Sequence, residues 1–209
     1  MYETTEDVAR VQQLLDDSYA GIGEHMKSIH TPDRRVAARD LGPILRGVRV
    51  LDLATVTANC EPRVGPVDGL YFRGRFYFGS GENSLRFRHI RQRPHVSACH
   101  TVGETFAVIV HGRAVEIDIK SAEQADFIAY VREVYPTWDE WYPDEPAPYA
   151  FIEPTRMYAY AFEPSVVECG ENVGCQCRHV RSNACGRKYY SVALGSCDFS
   201  CSTTLGSKA

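Results

Sequence analysis

Hydrophobic positions change their spacing along this 209-residue chain, and each change predicts an element. Val8, Val11, Leu14 and Leu15 recur at three- and four-residue steps behind the acids Glu6 and Asp7. That spacing predicts an amphipathic helix over residues 5–19 with acids in its first turn. Gly21 and Gly23 break it. Residues 28–46 are mixed and punctuated by Pro32 and Pro43, with a short helix expected over 34–40. From Val48 the period changes, and the aliphatic and β-branched run 50–57 reads as a strand. A turn at 58–62 leads to a second strand over 63–72, weakened by Gly65, Pro66 and Gly69. Arg73-Gly74 reverses the chain into a third, 75–79, with three adjacent aromatics. Asn83 or Ser84 caps a short helix that runs to Arg91, and Pro94 ends it.

Strands follow at 95–101 and 105–118, the second with Gly112 marking a bulge. Residues 121–134 read as a helix with Ser121 at its N-cap. Residues 135–148 hold four prolines and both tryptophans, and read as an irregular aromatic loop. A last strand covers 149–162. Strands joined by short turns, with few and peripheral helices, predict a mainly β (α+β) domain built on a compact antiparallel barrel.

Composition adds boundaries. Hydrophobic residues make up 44% and charged residues 24%, which excludes fibrous or wholly disordered classes. The net charge of −4 does not suit a nucleic-acid coat. No apolar run reaches the roughly 18–20 residues of a membrane helix. The acidic, polar N-terminus does not read as a signal peptide, so a cytoplasmic location is expected. Of eight cysteines, only Cys60 and Cys99 precede residue 169. The rest crowd a basic tail with no zinc-finger spacing. A set of Cys175, Cys177, His179 and Cys185 is a conceivable metal site. The abrupt change of composition argues instead for a disordered or non-native appendage, and no metal is expected. The division is 1–47, an N-terminal helical extension; 48–165, the barrel; 166–209, the tail.

The order of short pieces carries a resemblance. It runs Leu53-Ala54-Thr55-Val56-Thr57, Glu61-Pro62-Arg63-Val64-Gly65-Pro66-Val67, Gly74-Arg75-Phe76-Tyr77-Phe78-Gly79-Ser80, Asn83-Ser84-Leu85-Arg86-Phe87-Arg88-His89-Ile90, Arg93-Pro94-His95-Val96-Ser97-Ala98 and Val110-His111-Gly112-Arg113-Ala114. This resembles the pyridoxamine 5′-phosphate oxidase-like family of flavin- and deazaflavin-binding proteins. The resemblance implies a six-stranded antiparallel split β-barrel of the FMN-binding type. It also implies a homodimer with the flavin ring at the subunit interface, and a phosphate end held by the second and third strands and the following helix. Where the family often shows Ser-Arg-Lys, this chain has Ser84-Leu85-Arg86, so one cation is replaced by leucine. Cys60 stands where a turn glycine is frequent.

The residues support the same corner. A phosphate wants a hydroxyl, free N–H groups and a cation. Ser84 at a helix start and Arg86 two residues on offer these, with Arg63 and Arg88 as further cations. The plain alternative is a solvated helix face made by Arg86, Arg88, Arg91 and Arg93. Val64, Gly65, Pro66 and Val67 form a strand that a flat ring can approach, opposed by Gly79 and Ser80. For the two valines, ordinary barrel packing is an equal alternative. His111, Trp138 and Trp141 are the candidates for substrate contact, with a packed His and a covered barrel end as the alternatives. No nucleophile elbow, phosphate loop or metalloprotease histidine pair is present, so the sequence nominates no protein nucleophile. That suits a cofactor that carries the hydride. The expected function is an FMN-dependent oxidoreductase acting on a small organic substrate. A deazaflavin (coenzyme F-420) reductase and a non-catalytic flavin or haem binder are the alternatives.

Overall fold

The computed structural model describes residues 2–141 and 147–162. Helix α1 (Thr5–Ala20) starts at a capping box. The Thr4 hydroxyl accepts the Asp7 N–H, and the Asp7 carboxylate accepts the Thr4 N–H. Val11, Leu15 and Tyr19, at four-residue steps, form its buried stripe. Two short helices follow, α2 (Glu24–Ile29) and α3 (Ala38–Ile44). The helix expected over 34–40 is displaced towards the C-terminus. Pro32–Arg34 makes a 3-10 turn instead, because Arg35 and Val36 are drawn onto a strand edge. There the Val36 N–H donates to the Ala159 carbonyl at 2.9 Å.

Six strands close into one antiparallel barrel: β1 (Val48–Val56), β2 (Pro62–Phe72), β3 (Arg75–Gly79), β4 (His95–Val102), β5 (Phe106–Ile117) and β6 (Tyr149–Ala161). Their order around the barrel is β1-β2-β3-β6-β5-β4. This is the architecture the sequence predicts. Leu51, Leu53, Phe76, Phe78, Phe106, Val108 and Ile152 are among the buried core, and Val11 and Leu15 of α1 join it. A bulge falls between His111 and Gly112, as expected. Helix α4 (Leu85–Gln92) joins β3 to β4, while α5 (Ala125–Val134) and α6 (Trp138–Trp141) lie between β5 and β6. Ser121 caps only a 3-10 turn, Ala122–Gln124, and makes no side-chain cap bond. A second core forms where α5 packs Phe127 and Val131 against Phe72, Tyr77 and Tyr149. The tail, residues 166–209, lies outside the described residues.

The barrel has an unequal seam. β6 pairs with β5 along its length but with β3 only at Tyr149–Phe151. Its distal half therefore presents an unladdered edge, and α1 covers it with side chains. Ser18 Oγ accepts the Met157 N–H at 3.0 Å. Tyr19 Oη accepts the Ala159 N–H at 2.9 Å and donates to the Ala159 carbonyl at 2.7 Å. Burial pushes the Tyr19 phenol up to about 12, so it stays protonated and keeps donating. Tyr19→Phe orphans the buried Ala159 N–H, while Val36 still serves the carbonyl. A loss of about 1–3 kcal/mol is expected, read as a lower urea midpoint with an unchanged slope.

His30 sits against the same seam. It is 1% exposed and its Nδ1 has no partner. The Tyr160 ring meets it edge-on at 4.3 Å, with Tyr19 and Tyr158 further out and the Arg35 guanidinium nearby. Burial first, then the Arg35 charge, hold its pKa below the ordinary 6.5. The unfolded chain then binds a proton before the folded one does. The contribution to stability is fully present above pH 6.5 and is lost as pH falls through the lower folded value. His100 and His111, also lowered mainly by burial, add the same sign. Urea midpoints at about pH 7.5 and about pH 5.5 should differ less in His30→Phe than in the parent protein.

Candidate functional site

Helix α4 is built to present an arginine. Ser84 is extended at the N-cap, and its Oγ accepts the Phe87 N–H at 3.3 Å. Phe87 and Ile90 are buried and seat the helix on the barrel. His89 Nδ1 lies 2.9 Å from Oγ1 of the buried Thr55, which ties α4 to β1. Arg86 is thereby held over β2. Its Nη2 donates to the Pro66 carbonyl at 2.9 Å and more weakly to Gly65 at 3.5 Å, and Nη1 reaches Ser80 Oγ at 3.4 Å.

The Pro66 carbonyl is free for a topological reason. β3 ladders with β2 only over Gly69–Phe72, so residues 62–68 present an open edge on that side. Among the described residues Arg86 has no carboxylate partner. Desolvation alone lowers its pKa, and the guanidinium stays charged. The corner thus combines an uncompensated, half-buried cation, a serine hydroxyl whose proton is still available, and a strand edge. The N–H groups of the first turn of α4 add to it.

The other expected residues divide. Ser80 and Gly65 join Arg86 directly. Arg63 is exposed and pairs with Glu61 at 2.7 Å. Arg88 is exposed and has no ion pair among the described residues. The pleat sends Val64, 71% exposed, and Pro66 to the outer face, whereas Val67 packs into the core. Gly79 answers to packing: a Cβ there would lie 2.6 Å from the Tyr149 ring.

His111 lies on the outer face in one lateral row with Ser97, Ala54 and Val64. Three strand spacings of about 4.8 Å put it roughly 14 Å from Val64. Its Nδ1 is 2.8 Å from Ser97 Oγ. Trp138 is 5% exposed in the second core, edge-on to Tyr149 at 5.6 Å. The Trp141 side chain lies outside the described residues. Cys60 takes φ +63°, the left-handed conformation that a turn glycine would adopt freely. The Thr55–His89 tie and the Pro66 carbonyl escape sequence reasoning, since neither residue type signals a long-range hydrogen bond. No cluster of metal-ligating side chains occurs among the described residues, and no helix there is long and apolar enough to cross a membrane.

No family model and no curated protein matches the sequence. Solved structures do. A conserved hypothetical protein from Mycobacterium tuberculosis is similar with a TM-score of 0.53 and 17% identity, covering 63% of this chain and 89% of that one. The heme storage protein HutZ from Vibrio cholerae gives 0.50 and 14%, covering 58% and 93%. A FAD-binding protein from Mesorhizobium loti gives 0.48 and 19%, covering 62% and 98%. This is the pyridoxamine 5′-phosphate oxidase-like split-barrel fold. In this split barrel the open edge of β2 and the start of α4 meet at Arg86. The outer face beside them carries Val50, 55% exposed, together with Val64.

Proposed function

We propose that the protein is an FMN-dependent oxidoreductase that works as a homodimer on a small organic substrate. The observation that carries this reading is the half-buried Arg86 guanidinium, without an acidic partner among the described residues, beside a helix N-cap and an unladdered strand edge. The donor set fits a phosphate. Ser84 uses its oxygen on the Phe87 N–H and keeps its O–H to give. Arg86 offers further N–H groups beyond those that hold the β2 carbonyls. Leu85, 62% exposed, adds no charge, so Arg86 and Ser84 carry the anion, with Arg88 within the same turn.

Bound FMN supplies the hydride chemistry. The chain's own residues bind and orient. Arg86 and Ser84 would anchor the phosphate end. The β2 edge over 64–67 would offer backbone donors and acceptors to the ring edge, with Val64 and Pro66 as apolar surface. The exposed Val50 and Val64 on the adjoining outer face support a second copy as the cover that shields the ring from water. A haem-holding, non-catalytic reading draws only on the likeness to HutZ. Titration with FMN, coenzyme F-420 and haemin, followed by anaerobic addition of a nicotinamide donor, separates the readings. Saturable FMN binding and bleaching of its visible band are expected. Haem binding with no flavin binding would overturn the proposal.

A further inference from the structure

A cavity lies away from the β2–α4 corner, where the segment before α1 crosses α3 and α5. It measures about 110 Å³ and is lined by Tyr2, Glu3, Gly42, Arg46, Tyr71 and Tyr130, with Pro43 beside them. Its polar groups do not balance. Arg46 is neutralised by Glu133, which also accepts the Tyr2 hydroxyl. Tyr130 Oη accepts the Gly47 N–H. Glu3, by contrast, makes no ion pair or hydrogen bond among the described residues. The Tyr71 side chain is 4% exposed, and its hydroxyl also has no hydrogen-bond partner there. Among the described residues the cavity therefore keeps one carboxylate without a partner and one phenol that makes no hydrogen bond, among three aromatic rings. A carboxylate and a phenol oxygen both accept hydrogen bonds, and tyrosine rings attract cations.

We propose that this cavity binds a small protonated amine. An alkylammonium has N–H groups for both the Glu3 carboxylate and the Tyr71 oxygen, and a charge that the Tyr2, Tyr71 and Tyr130 rings favour. Anions are disfavoured by Glu3, and neutral apolar guests leave both polar groups unserved. Size sets a further limit. The cavity is smaller than the roughly 150 Å³ that accepts benzene, so the occupant has only a few heavy atoms. Gly42 makes the seat possible. A Cβ there would stand 2.8 Å from a Glu3 carboxylate oxygen and displace it.

The test uses the full chain and ethylammonium chloride, with sodium chloride at equal ionic strength as reference, read by calorimetry and by ligand-observed NMR. One saturable site is expected for ethylammonium and none for sodium. Affinity should fall at least about tenfold in Glu3→Gln, the loss of one charge-assisted bond. Gly42→Ala, which moves the same carboxylate without removing it, should weaken binding too and guards against a folding defect in the first variant. Tyr71→Phe should lose a smaller factor. FMN affinity should not change in any of the three. Absence of saturation, or equal affinity in the parent, Glu3→Gln and Gly42→Ala proteins, would overturn the assignment.

Discussion

Arg86→Ala is expected to weaken FMN binding about 10- to 150-fold, the worth of a charge-assisted hydrogen bond of about 1.5–3 kcal/mol. Among the described residues Arg86 is the one cation at the corner that the fold fixes in place, through the Pro66 and Gly65 carbonyls and Ser80. Its half-buried setting raises the value of each bond it makes to an anion. Removing it also frees the β2 edge, but water can serve the exposed Pro66 carbonyl, so the barrel should persist with a small loss of stability. Arg63→Ala is the informative control. Arg63 is exposed and held by Glu61, so its removal should change affinity by less than about threefold. Fluorescence titration of FMN with the three proteins checks both statements. Equal affinities for the parent and Arg86→Ala would remove the phosphate end from this corner.

Gly112→Ala should be the most damaging of the conservative substitutions in the barrel. A Cβ at Gly112 would stand 2.1 Å from the Glu153 carbonyl oxygen, 2.9 Å from its carbon and 3.0 Å from the Pro154 Cα. All three atoms are backbone, so no rotamer change relieves the clash. The β5–β6 ladder itself must open at the bulge. A cost at or above the upper end of ordinary overpacking, about 3 kcal/mol, is expected. In a chain of this size that lowers Tm by roughly 6–12 °C. Gly65→Ala serves as comparison, because a Cβ there meets only Arg86 Nη2 at an ordinary 3.5 Å. Thermal melts of the two variants should separate clearly.

Local signals in the sequence were sufficient for most of the barrel. The alternation and turn residues around Arg73-Gly74, the Ser84 cap and the Gly112 bulge are short-range features, and the structure shows each of them. Long-range compensation was not legible. Ser18 and Tyr19 read as part of an ordinary amphipathic helix, yet they bond a strand 139 and 140 residues away. The same edge pulls Arg35 and Val36 out of the helix expected over 34–40. At the candidate site, Arg86 meets Ser80, and Ser84 caps the helix that carries Arg86. The run Val64 to Val67 does not act as one surface, because the pleat divides it between the outside and the core. Trp138 illustrates a composition signal without a direction. Its proline-rich surroundings left substrate contact and cover of a barrel end both open, and the structure places it in the second core beside Tyr149.

The central claim is that the β2–α4 corner holds an anion attached to a flavin. The most direct measurement compares FMN with riboflavin, which has the same ring and no phosphate, on the parent protein and on Arg86→Ala. The account predicts that the parent prefers FMN by at least about tenfold and that the preference collapses in the variant. Equal affinity of the parent for FMN and riboflavin, or a preference that survives the loss of Arg86, would contradict it.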